Sequence, residues 1–253
     1  MMNILVLNAG SSSQKSSLYR CSFTDAPPQE PPVPLWEGSI DFSHASGQAE
    51  LTVKTASGES LKEVLSSDDR SVAVRHLLET LWQGPTQVIS SKKDIHAVGH
   101  RVVHGGQTYQ TAVLIDETVK ATIRDLTPLA PAHNPANLAG IELAQSLLGV
   151  DIPQYAVFDT AFHSQMPEAA AFYPVPQSWI AKGIRRYGFH GTSHQYCAQR
   201  AADLLKKPLN DLRLVIAHLG GGCSLCAVRN GRSIDTTMGF TPLDGLMMGT
   251  RSG

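Results

Sequence analysis

The alternation of apolar and polar positions changes most sharply over residues 4–18. Four apolar residues, Ile4-Leu5-Val6-Leu7, suit a buried strand. Asn8-Ala9-Gly10-Ser11-Ser12-Ser13 then forms a turn of small residues, and residues 15–20 return as a second strand. Such a turn can cradle a phosphate on backbone N–H groups and hydroxyls, although the same composition serves an ordinary hairpin. Residues 26–34 hold five prolines and read as a loop, because proline cannot donate to a ladder. Strands are predicted at 35–40 and 49–55, with a turn at 43–47 between them. Asp68-Asp69-Arg70-Ser71 opens a helix whose apolar residues Val72, Leu77, Leu78 and Leu81 share one face, and which ends at Gly84-Pro85.

Farther along, residues 95–98 read as a strand leading into Gly99-His100-Arg101-Val102-Val103-His104-Gly105-Gly106. Arg101, flanked by histidines and glycines at a strand end, is placed either to face a cleft or to join a surface ion pair. Residues 116–126 form a helix with Asp116 as N-cap, and three prolines stiffen the loop over 127–135. Pro135 starts an apolar helix that stops at Gly149. Residues 154–158 read as a strand with Asp159 just past its carboxyl end, where α/β proteins bind ligands; Asp159 is thus a candidate acid or base, or a turn aspartate. After Tyr187-Gly188-Phe189-His190-Gly191-Thr192-Ser193-His194 comes a helix over 193–205.

A strand over 212–217, the turn His218-Leu219-Gly220-Gly221-Gly222-Cys223-Ser224 and a returning strand over 225–229 then repeat the opening pattern and end at an Asn230-Gly231 hairpin turn. Two such units, far apart in sequence, suit a duplicated two-lobed α/β protein whose two turns converge on one polyphosphate. The expected lobes are 1–160 and 161–253. The first continues far past its turn whereas the second has only residues 225–253 after its own, so the second lobe is expected to be truncated.

Composition narrows the function classes. At 253 residues, 42% hydrophobic and 17% charged, the chain can build a core, and its formal charge of −1 leaves no basic footprint for nucleic acid or for a membrane surface. No stretch approaches the roughly 18 apolar residues of a membrane span. Four cysteines read as reduced and the protein as cytoplasmic; Cys223-Ser224-Leu225-Cys226 has no second pair to complete a tetrahedral metal site. The opening turn lacks the spacing of a Walker A motif, and Gly220-Gly221-Gly222 does not fit the dinucleotide fingerprint.

Six motifs in order carry a resemblance that covers nearly the whole chain: the turn at 8–13, Gly99 to Gly106, His133-Asn134-Pro135, Phe158-Asp159-Thr160-Ala161-Phe162-His163, Tyr187 to His194, and the glycine-rich Met238 to Gly253. Together they resemble the acetate kinases, members of the actin and sugar-kinase superfamily of duplicated ribonuclease-H-like lobes. The resemblance implies reversible in-line transfer of the ATP γ-phosphoryl group to acetate, giving acetyl phosphate and ADP, with Mg²⁺ and a homodimer. It also implies roles. Arg101 and Arg251 would hold the carboxylate and the transferring phosphoryl group, His190 would donate a hydrogen bond to that group, and Asp159 would orient an arginine or the metal rather than act as a base. Asn8 would help to hold Mg²⁺. Ser11, Ser13 and Lys15 would contact phosphate on one side, and His218, Leu219, Gly220, Gly221 and Gly222 on the other. Val103, Phe189 and Pro242 would wall the acetate methyl group.

Three features depart from that family pattern. Ala132 stands where leucine is common, which could widen the methyl pocket and admit propionate. Gly221 replaces a usual asparagine, and the family continues beyond Gly253, with adenosine contacts and an acidic metal ligand in that region. The alternatives to an acetate-specific enzyme are a propionate-preferring kinase and a non-catalytic protein that keeps the fold.

Overall fold

The computed structural model describes residues 1–10, 13–22, 30–43, 47–66, 69–249 and 251–252. Ser11 and Ser12 of the first turn, residues 26–29 of the proline-rich loop, residues 44–46 of the predicted turn, Asp68, Thr250 and Gly253 lie outside the described residues. The chain divides into two compact units: 1–102 with 113–127 and 131–156, and 103–112 with 128–130 and 157–253. The division falls between Ala156 and Val157, beside the expected boundary at 160, and two short segments from earlier in the chain join the second unit.

In the first unit, Met2–Ala9 (β1), Ser13–Cys21 (β2), Trp36–Asp41 (β3), Gln48–Thr55 (β4) and Ser60–Ser66 (β5) form an antiparallel meander. Arg70–Glu79 (α1) follows. Ala97–Val102 (β6) then runs parallel to β1 on its other edge. Val113–Leu114 (β7), Glu117–Asp125 (α2), Asn134–Leu148 (α3) and Gln154–Phe158 (β8) come next, and β8 carries the chain into the second unit. The sheet order is β5-β4-β3-β2-β1-β6-β8-β7, the expected ribonuclease-H-like arrangement of an antiparallel meander followed by a parallel strand.

Burial explains this order. Leu5 and Leu7 of β1, Val98 of β6, Ile40 of β3 and Leu51 and Val53 of β4 form one apolar face, covered by Ala73, Leu77 and Leu78 of α1 and Ala144, Leu147 and Leu148 of α3. Trp36 is wholly buried in that core; its Nε1–H donates to Thr80 Oγ1, whose hydroxyl donates to the Leu77 carbonyl, and this ties β3 to the end of α1. Asp69 caps α1 by accepting from the Ser71 N–H at 2.8 Å, and Asp116, as the sequence predicts, caps α2 by accepting from the Val119 N–H at 2.8 Å. α1 stops at Glu79 rather than at Gly84, although Leu81, two residues beyond, remains buried.

Strand β5 has no counterpart in the predicted elements. It lies at the sheet edge, where Lys62 and Glu63 interrupt the apolar pattern, and charged edge strands of this kind resist pairing with other chains. β6 begins later than expected and runs through Val102, so Arg101 lies within the strand rather than past its end.

The second unit contains Glu168–Ala171 (α4), Gln177–Ile180 (α5), Gly191–Leu205 (α6), Arg213–Leu219 (β9), Cys223–Arg229 (β10) and Arg232–Thr236 (β11). β9, β10 and β11 form an antiparallel meander among the described residues, and the β9–β10 hairpin repeats the β1–β2 hairpin. Asn230 and Gly231 both take left-handed backbone conformations, which a tight hairpin turn requires. Ala198 of α6 packs with Ile216, Cys226 and Val228 beneath this sheet. The four cysteines are free, and burial pushes the Cys226 thiol up to about 11. Among the described residues no helix is long and apolar enough to cross a membrane.

Gly38 tests the packing of the first unit. A Cβ there would collide with the Trp36 ring and lie 2.7 Å from Leu77 Cδ1. Gly38→Ala is expected to destabilise the protein by about 1–3 kcal/mol in urea unfolding followed by tryptophan fluorescence. An unchanged unfolding midpoint and slope would contradict the packing.

Candidate functional site

In the first unit, register brings three polar side chains into a row. Asn8 pairs with Lys15 of β2 on one side and with Arg101 of β6 on the other, so the three project from the same face of adjacent strands. That face is opposite the one on which Leu5 and Leu7 are buried. An Arg101 Nη1–H donates to Asn8 Oδ1 at 3.1 Å, while Lys15 is exposed. The turn after β1 is held by the Gly10 N–H donating to the Ser13 carbonyl at 2.8 Å, which places Ser13 at the start of β2. Asn137 of α3 donates to the Ala9 carbonyl at 3.0 Å, anchoring the same turn to the helix. Ser11 lies outside the described residues. Ala132, just ahead of α3, is exposed.

Magnesium requires oxygen ligands, commonly one or two carboxylates together with substrate phosphates. Asn8 offers one neutral amide oxygen that already accepts from a guanidinium. No group of three or more His, Cys, Asp or Glu able to hold a metal occurs among the described residues. By themselves these residues do not fit a magnesium ion, and the chemistry available to them is that of their own side chains.

The second unit gathers the remaining candidates. Asp159 follows β8 and is 1% exposed. Its carbonyl accepts the Gly191 N–H at 2.9 Å, and a Cβ on residue 191 would run into that same carbonyl, so glycine is required for the approach. This contact seats His190 at the N-cap of α6 with φ 58° and ψ 22°, a left-handed conformation that costs a non-glycine residue about 1 kcal/mol or more. The His190 ring stacks on His218 with centroids 4.0 Å apart, and its Nδ1 lies 2.9 Å from Ser224 Oγ. His218 belongs to β9, not to the turn as the sequence suggests, and its Nδ1 lies 2.9 Å from Ser193 Oγ. Leu219 ends β9 exposed.

The glycine turn itself is closed by the Gly220 N–H donating to the Gly222 carbonyl at 2.9 Å. Gly222 lies against His190: a Cβ there would sit 3.3 Å from His190 Nε2. A Cβ on Gly221 would meet nothing within 4 Å, so that position has room for the asparagine side chain it lacks.

An apolar cluster completes this set. Val103, Ala130, Tyr187, Phe189, Met238 and Met248 are buried together, with Leu129 and Phe240 packed against them. Val103 and Phe189 therefore share one cluster, and it is Ala130, not Ala132, that joins them from the proline-rich loop. Arg251 donates through Nη1 to the Pro242 carbonyl at 3.2 Å, and Met248 Sδ lies 3.4 Å from the same nitrogen.

Two residues to which the sequence reading gave no role, His194 and Ser224, are wholly buried within this set. His194 Nε2 lies 2.8 Å from Ser224 Oγ. Burial pushes the His194 imidazolium down to about 4; the neighbouring His218 lowers it further and Asp159 opposes, so His194 is neutral near pH 7. The available signal is the alternation of β10, where Ser224 occupies an inward position alongside Cys226 and Val228.

The family model described as the acetokinase family matches residues 3–253. An acetate kinase of Cyanothece sp. is 59% identical over 252 residues, covering all of this chain and 61% of the relative, and one of Rippkaea orientalis is 59% identical over 255 residues. Among solved structures, Porphyromonas gingivalis acetate kinase and a propionate kinase from Francisella tularensis each superpose with a TM-score of 0.87 at 40% identity, covering all of this chain and 61% of theirs. The chain thus spans about three fifths of the length of the relatives it matches. On the family match and on relatives similar along its whole length, the chain belongs to the acetokinase family.

Proposed function

We propose that this chain carries the phosphoryl-transfer machinery of a short-chain acyl kinase, which moves the γ-phosphoryl group of ATP onto a carboxylate oxygen of acetate. The observation that carries the reading is the succession Phe189-His190. Phe189 belongs to an apolar cluster suited to a methyl group, and the next residue presents an imidazole beside a glycine turn. The relatives named acetate kinase, similar along the whole chain, support the same reading.

The chemistry follows from the substrate. Acetate offers a carboxylate and a methyl group, so recognition needs a cation and a small apolar wall. Arg101 and Arg251 supply guanidinium groups for the carboxylate and for the phosphoryl oxygens. His190 donates to those oxygens as charge spreads over them in the transition state. A carboxylate nucleophile has no proton to lose at neutral pH, so Asp159 orients a cationic group rather than acting as a base. Ser11, Ser13, Lys15 and the backbone of Gly220, Gly221 and Gly222 hold ATP phosphates. Val103, Phe189 and Pro242 bound the acyl chain, and Ala132, outside the apolar cluster of Val103 and Phe189, is a candidate modulator of chain length.

The purified protein, given acetate, MgATP and hydroxylamine, is expected to form acetyl hydroxamate, and Arg101→Ala is expected to lower kcat/KM by about 100-fold or more. No hydroxamate from either acetate or propionate would refute the reading, and an unimpaired Arg101→Ala would remove Arg101 from it.

Acyl-chain length is set by the apolar wall, where one methylene is worth about 1–3 kcal/mol. Ala132 precedes α3, two residues after the clustered Ala130. Ala132→Leu is expected to raise the acetate-to-propionate ratio of kcat/KM about ten-fold. An unchanged ratio would take Ala132 out of the wall and leave Val103 and Phe189 as its determinants.

A further inference from the structure

Four histidines in the second unit, His163, His190, His194 and His218, are hydrogen-bonded to hydroxyl groups, and hydroxyl chemistry limits how each ring can hold its proton. A serine hydroxyl has one proton to give and two lone pairs. His163 shows the rule with no ambiguity. Its Nε2 lies 3.1 Å from the Phe189 carbonyl, which can only accept, so the proton is on Nε2 and Nδ1 accepts from the Ser233 hydroxyl at 2.7 Å. Burial holds His163 neutral, with its imidazolium pushed down to about 4.

The pair around Ser224 is a longer version of this arrangement. Ser224 Oγ lies between His194 Nε2 at 2.8 Å and His190 Nδ1 at 2.9 Å. The one hydroxyl proton can point at only one of these nitrogens, and the other nitrogen must bring its own. The other face of His194 decides which. His194 Nδ1 is buried and has no hydrogen-bond partner among the described residues. A proton on Nδ1 would be an N–H sealed from water with no acceptor, which native structures avoid more strictly than an idle lone pair. The single proton of neutral His194 therefore sits on Nε2 and is donated to Ser224 Oγ. Ser224 in turn donates to His190 Nδ1. With Nδ1 of His190 occupied as an acceptor, its proton is on Nε2, the atom that lies against Gly222 in the glycine turn.

We propose that His194 and Ser224 are positioning residues which, through the chain His194 Nε2–H to Ser224 Oγ and Ser224 O–H to His190 Nδ1, hold His190 as the Nε2–H tautomer, a hydrogen-bond donor aimed along the glycine turn. The inference rests on the reading of His190 as the donor to the transferring phosphoryl group and explains what makes it one. In the opposite tautomer His190 Nε2 would present a lone pair and repel phosphoryl oxygens. The left-handed backbone at His190 and its stack on His218 fix the ring plane; the relay fixes which edge carries the proton.

The test is the tautomeric state itself, read by long-range proton–nitrogen correlation NMR on protein labelled with ¹⁵N-histidine, with His190→Gln identifying the His190 signals. At pH 7.5 the wild type is expected to show His190 protonated on Nε2 and unprotonated on Nδ1. Ser224→Ala is expected to move both nitrogens toward the averaged shifts of a mixed tautomer, and Ser224→Thr, which keeps the hydroxyl, to restore the wild-type pattern. In the hydroxamate assay Ser224→Ala is expected to lose about ten-fold in kcat with little change in KM for acetate or ATP, since the donor acts in the transition state. An Nδ1–H or doubly protonated His190 in the wild type overturns the proposal, as does a Ser224→Ala tautomer like that of the wild type. The wild-type spectrum decides the matter even where Ser224→Ala fails to fold. Because the spectrum needs no turnover, a correct tautomer without hydroxamate formation would refute the kinase reading and leave the relay standing.

Discussion

Strand β1 is paired along both edges, antiparallel to β2 and parallel to β6, and that double pairing is the constraint on which the first unit depends. A slip of one residue would turn Leu5 and Leu7 out of the core and put Val6 and Asn8 into it, a change that the apolar faces of α1 and α3 would resist. Burial of the leucines therefore fixes where Asn8 points, and register fixes that Lys15 and Arg101 stand on either side of it. The polar row is a consequence of core packing, with no separate force needed to assemble it.

In the second unit the corresponding constraint is the burial of polar groups. Ser224, His194 and His163 are sealed from water, so each has to find its partners among its neighbours. Their hydrogen bonds tie α6 to β10, and the segment after β8 to β11 and to the Phe189 carbonyl, and the half-buried edge of the first pair is His190. A strained backbone at that residue is held by the close approach of Gly191 to the Asp159 carbonyl. Rigidity of this kind suits a group that must meet charge as it develops, because reorganisation at the moment of reaction would offset the gain.

What could be read from the residues alone follows the strength of local signals. Asp116 as a cap, the strand 154–158 and the helix that ends at Gly149 rest on short-range chemistry, and each is found within a residue or two. The likeness of the two hairpins was equally legible, because a strand, a small-residue turn and a returning strand need no distant partner to be recognised. Strand β5 was hidden by the charges that protect an edge, and the length of β9 was hidden because His218 and Leu219 resemble the start of a turn. The partnership of His190 with Ser224, 34 residues away, has no trace in local pattern. Only the inward position of a serine in β10 hints at it. Nor does the sequence separate Ala130 from Ala132; packing alone buries the first and exposes the second.

In the proposed reaction the carboxylate oxygen of the acyl substrate is the nucleophile that attacks phosphorus. Acetate labelled in both oxygens with ¹⁸O, incubated with the purified protein and MgATP, allows a direct measurement by ³¹P NMR of the product. If the carboxylate is the nucleophile, the phosphorus of acetyl phosphate carries one ¹⁸O in the bridge and its resonance shows the corresponding upfield isotope shift. Acetyl phosphate with an unshifted resonance, or none formed at all, would contradict it.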